Sequence, residues 1–181
     1  MTFRLNIPNC LTLLRIVGSV FFLGFLIKGN WSFSLLIFSL AALTDMIDGT
    51  VARLLHQRTR LGGFLDPAAD KFLMFCGFFV LTWKGIIPLW ATAVVVSRDA
   101  MISAGIFYFM GKKLSFPFRP TYLSKAATLL QILTLFFYLL DLYQNRSSNL
   151  FYLTLVTVMV TALTGIQYVR IGIRMLHGAQ A

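Results

Sequence analysis

The sequence of 181 residues predicts an all-α integral membrane protein with six transmembrane helices and cytoplasmic N- and C-termini. Hydrophobic residues make up 58% of the chain and charged residues 12%, about half the charged fraction of a soluble domain, and the mean hydropathy is +0.80. The apolar residues fall into six runs, each near the length of about 20 residues that a helix needs to cross a bilayer. We therefore expect a single membrane domain over residues 1–181, with little chain left for a soluble domain.

Short polar, glycine-containing or proline-containing segments separate these runs. A Lys28-Gly29-Asn30 turn follows the first, Gly62-Gly63 precedes the third, and Pro88 opens the fourth, where a proline is well tolerated. The fifth run follows a basic, proline-containing loop, and the sixth follows a polar stretch and ends in a short basic tail. The predicted spans cover residues 10–27, 31–55, 64–83, 88–110, 123–143 and 150–173.

The basic residues are distributed unequally between the two sides of this arrangement. With both termini inside, only Lys28, Lys84 and Arg146 lie on the outer side. Cytoplasmic loops of membrane proteins carry an excess of Lys and Arg, so this count supports the predicted orientation. The ten basic residues on the cytoplasmic side are Arg4, Arg53, Arg58, Arg60, Lys112, Lys113, Arg119, Lys125, Arg170 and Arg174.

The net charge of +10 suggests anionic lipid as a partner and not nucleic acid, because the basic residues are dispersed among apolar runs. No stretch that resembles a mitochondrial transit peptide precedes the first span. We therefore expect the protein to lie in a bacterial inner (cytoplasmic) membrane, with its active site near the cytoplasmic face.

Four of the six acidic residues, all of which are aspartates, lie close together in the sequence at Asp45, Asp48, Asp66 and Asp70. The first two are three residues apart and the last two are four apart, so each pair lies on one face of a helix. Carboxylate oxygens suit Mg²⁺, Ca²⁺ or Mn²⁺, and two such ions can bind the attacking and leaving oxygens of a phosphoryl transfer. The cluster predicts a site for two divalent metal ions, Mg²⁺ or Mn²⁺.

Clustered carboxylates in a membrane protein are also compatible with two roles besides metal-dependent catalysis. They could form an ion-paired seam between helices, or belong to an ion or proton transporter. Each ionised side chain within a span costs at least about 2.5 to 3.5 kcal/mol, and Arg53 with Lys71 can neutralise only two of the four. A transporter predicts carboxylates distributed along a pathway, whereas these cluster with small residues that leave room for a large ligand.

The aspartates belong to a longer pattern that resembles a known family. The chain reads D-x-x-D-G-x-x-A-R, then eight residues, then G-x-x-x-D-x-x-x-D, between Asp45 and Asp70. This pattern is similar to the signature of the CDP-alcohol phosphotransferases, also called CDP-alcohol phosphatidyltransferases, and the chain departs from it nowhere. The matching residues are Asp45, Asp48, Gly49, Ala52, Arg53, Gly62, Asp66 and Asp70.

The resemblance implies a homodimeric membrane enzyme that transfers a phosphatidyl group from CDP-diacylglycerol to an alcohol and releases CMP. It implies that all four aspartates bind the metal ions and that Asp70 is also the catalytic base for the acceptor hydroxyl. It implies a nucleotide-binding set of Asp45, Gly49, Ala52, Arg53 and Gly62.

The acceptor is indicated by segments outside this motif. The stretches IPNCLTLLRI, SRDAMISAGIFYF and RPTYLSKAATLLQ resemble the cardiolipin synthase branch, in which the acceptor is phosphatidylglycerol. The phosphatidylglycerophosphate synthases, which use glycerol-3-phosphate, are similar at the start but tend to carry Arg-Glu and a further Arg in the fourth span. Here Arg98-Asp99 is followed by Gly105 and Ile106 where that Arg is expected. We expect cardiolipin synthesis, with phosphatidylglycerophosphate synthesis as the alternative.

Four basic residues are the predicted acceptor-binding set: Arg98, Arg119, Lys125 and Arg170. Three of them also fit an ordinary structural role. Arg98 with Asp99 can form a structural ion pair, Lys125 lies where an interfacial lysine is ordinary, and Arg170 can serve only to set topology.

Overall fold

The described part of the protein is built from α-helices. A computed structural model describes the backbone over residues 7–55, 62–111, 121–146 and 148–178, and the side chains over 16–44, 71–105, 121–146 and 148–174. The described residues form six helices: α1 (Ile7–Lys28), α2 (Trp31–Leu55), α3 (Gly62–Trp83), α4 (Leu89–Gly111), α5 (Tyr122–Tyr143) and α6 (Phe151–Gly178).

Each helix lies on one of the six predicted apolar runs. The clearest difference is at the end of the chain, where α6 continues to Gly178 instead of ending near Ile173. The stretch of α6 that is long and apolar enough to cross a membrane ends at Arg174, next to the predicted end of the sixth span. The helix continues beyond this stretch because Arg174 and His177 are polar but not helix-breaking, and cations are favourable near the C-terminal end of a helix.

The chain divides into two compact units, and the first comprises Met1–Ile86 and Leu135–Ser148. In this unit α1 packs against both α2 and α3. Phe22 of α1 lies 5.8 Å from Phe38 of α2, measured between ring centroids, and both side chains are buried. Because α2 and α3 carry the aspartate motif, α1 is the helix that supports both halves of it.

A turn at one end of the first unit is closed by a lysine. Gly29 has a φ of +73°, a left-handed conformation that glycine adopts without strain, and this reverses the chain between α1 and α2. The Nζ of Lys84 donates a hydrogen bond of 3.1 Å to the carbonyl oxygen of Ile27 and lies 5.4 Å from the ring centroid of Trp31. This lysine therefore satisfies a carbonyl at the open C-terminal end of α1 and joins the ends of three helices.

The second unit comprises Ile87–Thr134 and Asn149–Ala181, and in it α4 packs against α6. The buried side of α6 carries four threonines at a regular spacing. Its exposed side is apolar. The buried residues are Thr154, Thr157, Thr161 and Thr164, and the exposed ones include Tyr152, Val156, Met159, Leu163, Ile166 and Ile173. This distribution is the reverse of a soluble helix, and it is what a hydrocarbon surrounding favours.

The buried threonines of α6 meet polar residues of α5. The Nε2 of Gln131 donates to the Oγ1 of Thr161 at 3.2 Å, and the hydroxyls of Thr134 and Thr157 are 2.7 Å apart. All four side chains are buried. We call these four residues the α5/α6 polar seam; they form two hydrogen-bonded pairs among buried side chains.

Two of the helices are long and apolar enough to cross a membrane within the residues that the structure describes, namely Tyr122–Tyr143 and Phe151–Arg174. Shorter apolar helical stretches run over Ile16–Lys28, Trp31–Thr44 and Lys71–Trp83. The exposed apolar surface of α6 adds to this, because a soluble monomer rarely exposes so continuous an apolar face. The architecture fits a membrane protein.

The α5/α6 polar seam generates a stability prediction. Replacing Gln131 with Ala removes the hydrogen bond to Thr161 and leaves a small cavity, so we expect the free energy of unfolding to fall by about 1 to 2 kcal/mol. The matched control is Leu133→Ala, which truncates an exposed residue of the same helix and should change it by less than about 0.5 kcal/mol. Unfolding by SDS titration in mixed micelles measures both. Equal losses would contradict the buried position of the seam.

Candidate functional site

The aspartate motif lies on the two helices that α1 supports. Asp45 and Asp48 belong to α2, and Asp66 and Asp70 belong to α3. The helical backbone that the spacing argument requires is therefore present on both sides, within one compact unit. The four side chains themselves lie outside the described ones, so their mutual arrangement stays a prediction.

The other motif residues occupy the adjoining positions of the same helices. Gly49, Ala52 and Arg53 lie in the last turns of α2, and Gly62 is the first residue of α3. In the helical register, Asp45, Asp48, Gly49 and Ala52 follow the spacing i, i+3, i+4, i+7 and share one face. A face of two carboxylates and two small residues is chemically suited to a metal-bound diphosphate, because small residues let a bulky ligand approach the backbone.

The motif is also the part of the chain whose residue types best fit a divalent metal. Among the side chains described over 16–44, 71–105, 121–146 and 148–174, no group of three or more His, Cys, Asp or Glu residues could hold a metal ion. The motif provides four carboxylates on two helices of one unit, which is the oxygen-rich donor set that Mg²⁺ or Mn²⁺ requires.

Arg98, one of the predicted acceptor-binding residues, is buried in the second unit with 7% of its side chain exposed. Its three nitrogen atoms donate hydrogen bonds to residues of α6, of α5 and of α4, the helix to which Arg98 itself belongs. Nε donates to Thr164 Oγ1 of α6 at 3.1 Å, and Nη2 donates to Ser124 Oγ of α5 at 2.6 Å. Nη1 donates to Asp99 Oδ1 of α4 at 2.6 Å. We call Arg98, Asp99, Ser124 and Thr164 the Arg98 node.

The Arg98 node is electrically neutral as a whole. The carboxylate of Asp99 pairs with the guanidinium at 2.6 Å and is itself 22% exposed. This is the structural ion pair that the sequence allowed for Arg98-Asp99. The pairing leaves the node without excess positive charge for a dianionic ligand.

The other three predicted acceptor residues lie in different surroundings. Lys125 is exposed on α5, and its Nζ lies 5.8 Å from the ring centroid of Tyr122, itself 91% exposed. Arg170 lies on the exposed side of α6. Arg119 falls outside the described residues. Lys125 therefore directly follows Ser124, a residue of the Arg98 node, whereas Arg170 lies on an exposed face.

Sequence reasoning missed the residues that bind Arg98. Ser124 and Thr164 were not candidates, and neither were Thr121 and Gln167, which form a further link of 3.3 Å between α5 and α6. The sequence did contain a pattern that predicts a polar face on the last helix. The threonines of the last span recur at 154, 157, 161 and 164, the spacing of one helix face, within an otherwise apolar run.

Comparisons with known proteins identify relatives over most of the chain. The model of a family described as CDP-alcohol phosphatidyltransferase matches residues 5–167. The chain is 37% identical over 145 residues to human cardiolipin synthase (CMP-forming), covering 71% of this chain and 48% of that protein. It is 36% identical over 132 residues to the cardiolipin synthase (CMP-forming) of Streptomyces coelicolor, covering 68% and 60%.

A relative with a different name matches a shorter segment. The chain is 44% identical over 107 residues to the CDP-diacylglycerol–glycerol-3-phosphate 3-phosphatidyltransferase of Wigglesworthia glossinidia brevipalpis, covering 56% of this chain and 58% of that protein. The chain thus spans about half to three fifths of the length of these curated relatives.

The matches help to choose between metal-dependent catalysis and ion transport as the role of the clustered aspartates. The family match includes both halves of the aspartate motif and ends within α6, at Gln167. The names of the relatives refer to phospholipid synthesis and not to ion transport. The protein belongs to the CDP-alcohol phosphatidyltransferase family.

Proposed function

We propose that the protein transfers a phosphatidyl group from CDP-diacylglycerol to phosphatidylglycerol, giving cardiolipin and CMP. One observation carries the proposal: the complete aspartate motif lies on two helices of one compact unit, inside the family match. The relatives named cardiolipin synthase, human and bacterial, support the choice of product.

The motif residues would divide the reaction between them. Asp45, Asp48, Asp66 and Asp70 would hold two divalent metal ions, whose charge would stabilise the diphosphate and the departing CMP. Gly49, Ala52, Arg53 and Gly62, with Asp45, would bind the cytidine diphosphate.

Asp70 would also accept the proton of the acceptor hydroxyl. The acceptor oxygen then forms a bond to the phosphatidyl phosphorus, and the bond from that phosphorus to the bridging oxygen breaks. CMP leaves with the bridging oxygen. A carboxylate is suited to this step because its ionised form is the acceptor of the proton.

The acceptor would be bound by the basic residues Lys125 and Arg170, together with Arg119. Arg98, whose N–H donors are occupied by Thr164, Asp99 and Ser124, would not contact the acceptor itself. Because Asp99 neutralises Arg98, three of the four predicted basic residues remain available to the acceptor. This favours phosphatidylglycerol, a monoanionic diester, over the dianionic glycerol-3-phosphate, which requires a dense group of free cations. Glycerol-3-phosphate is the second candidate, because the Wigglesworthia relative is named for that acceptor.

The enzyme would span the membrane six times as a homodimer, with both termini and the active site on the cytoplasmic side of a bacterial inner membrane. Exposed aromatic residues at helix ends support the spans, because tyrosine and tryptophan concentrate at membrane interfaces: Trp83 at the end of α3, Trp90 at the start of α4, Tyr143 at the end of α5 and Tyr152 at the start of α6.

The activity is tested with purified protein in detergent micelles that contain CDP-diacylglycerol and Mg²⁺, with each acceptor added separately. We expect CMP release with phosphatidylglycerol and a product that co-migrates with cardiolipin on thin-layer chromatography. Phosphatidylglycerophosphate formed from glycerol-3-phosphate would support the second candidate instead. No CMP release with either acceptor would refute the proposal.

Asp70 is tested by Asp70→Asn, which should lower turnover by about a hundredfold to ten-thousandfold because the amide cannot take the proton. Binding of CDP-diacylglycerol should remain largely intact. The matched control is Asp141→Asn, since Asp141 lies outside the motif and accepts hydrogen bonds from the backbone N–H of Ser148 at 3.1 and 3.3 Å. The control should retain turnover. Unchanged turnover of Asp70→Asn would remove the assignment of the base.

The metal requirement is tested by chelation. Treatment with EDTA should abolish CMP release, because four clustered carboxylates without cations repel the diphosphate. Addition of Mg²⁺ or Mn²⁺ in excess of the chelator should restore it. Full activity in EDTA, after dialysis against the chelator, would contradict the two-metal proposal.

A further inference from the structure

Arg98 is poorly placed to bind an anionic substrate directly. Its side chain is 7% exposed, and its Nε, Nη1 and Nη2 donate to Thr164, Asp99 and Ser124. A phosphate would have to displace one of these partners and compete with a carboxylate that is already 2.6 Å away. The guanidinium therefore acts as a connector between α4, α5 and α6.

The part of α5 that Arg98 reaches is the first turn of the helix. The Oγ of Ser124 accepts a hydrogen bond from the Nη2 of Arg98. The backbone N–H of Ser124 donates to the Oγ1 of Thr121 at 3.2 Å, which is a helix-capping hydrogen bond. The hydroxyl of Thr121 in turn donates to the Oε1 of Gln167 on α6 at 3.3 Å. Two residues of one turn are thus fixed to the neighbouring helices by side-chain hydrogen bonds.

Lys125 immediately follows Ser124 in this turn. Its backbone N–H donates to the carbonyl oxygen of Thr121 at 3.1 Å, so its backbone moves with the capped turn. Its side chain is exposed, with the ammonium beside the exposed ring of Tyr122. Ser124, which belongs to the Arg98 node, and Lys125, which carries the exposed cation, are therefore consecutive residues of one capped turn.

The α5/α6 polar seam offers a comparison within the same pair of helices. Thr134 and Thr157 are bonded at 2.7 Å, as tightly as Ser124 is to Arg98, and they also join α5 to α6. Thr134 is nine residues after Lys125, which is about 13 Å along a helix. If both contacts serve only packing, removing either one should have the same effect on acceptor binding. If the Ser124 contact positions Lys125, only its removal should weaken acceptor binding.

We propose that Arg98 is a positioning residue that, through Ser124, fixes the first turn of α5 so that Lys125 binds the phosphate of the acceptor. The proposal deepens the proposed function and rests on it. Arg98 then acts on acceptor binding without touching the acceptor, and the donor half of the reaction is independent of it.

The test compares Ser124→Ala with Thr134→Val in detergent micelles. In one series the mole fraction of phosphatidylglycerol is varied at saturating CDP-diacylglycerol, and in the other the mole fraction of CDP-diacylglycerol is varied at saturating phosphatidylglycerol. Ser124→Ala should raise the KM for phosphatidylglycerol about tenfold, with the KM for CDP-diacylglycerol and kcat within about twofold of the unaltered protein. Thr134→Val should change none of the three. Ser124→Thr, which keeps the hydroxyl, should restore the acceptor KM.

A double-mutant cycle connects the effect to Lys125. Lys125→Ala should raise the acceptor KM about tenfold, and Ser124→Ala should add less than about twofold in the Lys125→Ala background, because both changes remove the same interaction. Thermal unfolding in the same micelles identifies a temperature at which all variants are folded, and the kinetics are measured there.

The results separate the inference from the activity on which it rests. CMP release by the unaltered protein, together with a Ser124→Ala variant that behaves like Thr134→Val, would overturn the positioning role and leave the activity intact. Additive effects of Ser124→Ala and Lys125→Ala would overturn it as well. Absence of CMP release by the unaltered protein with either acceptor would overturn the proposed function, and the positioning role with it.

Discussion

The constraint that shapes this protein is that a polar group in an apolar surrounding must find its partner within the protein. The second unit meets this constraint with side chains alone. Arg98 is neutralised by Asp99 and bonded to two further helices, and the seam pairs Gln131 with Thr161 and Thr134 with Thr157. The polar interior and the apolar exterior of α6 are two results of the same requirement.

The two units use polar residues in different ways. In the second unit each described polar group of the node and the seam has a partner, so the helices are fixed relative to one another. In the first unit the aspartate motif supplies four negative charges on α2 and α3, more than the nearby Arg53 and Lys71 can neutralise. The second unit thus has a satisfied polar core, and the four aspartates of the first unit are the groups that we propose bind two divalent cations.

Much of this organisation could be predicted from the sequence. The six helices coincide with the apolar runs, and the motif alone is specific enough to indicate the family that the family match confirms. The contacts of Arg98 could not be predicted, because periodicity shows which residues share a face but not which helix lies against it. The extension of α6 past Ile173 was missed because hydropathy marks the end of an apolar run, whereas a helix continues until its backbone is interrupted.

The threonines of the seam have a consequence for how these helices reach the bilayer. The hydroxyls of Thr134 and Thr157 each lie within hydrogen-bond distance of a carbonyl four residues earlier in the same helix, at Leu130 and Leu153, as well as of each other. Thr154, elsewhere on α6, has the same contact with Leu150. A threonine of this kind enters hydrocarbon with its hydroxyl already satisfied. Helices α5 and α6 can therefore insert one at a time and exchange part of this internal bonding for bonds to each other only after they meet.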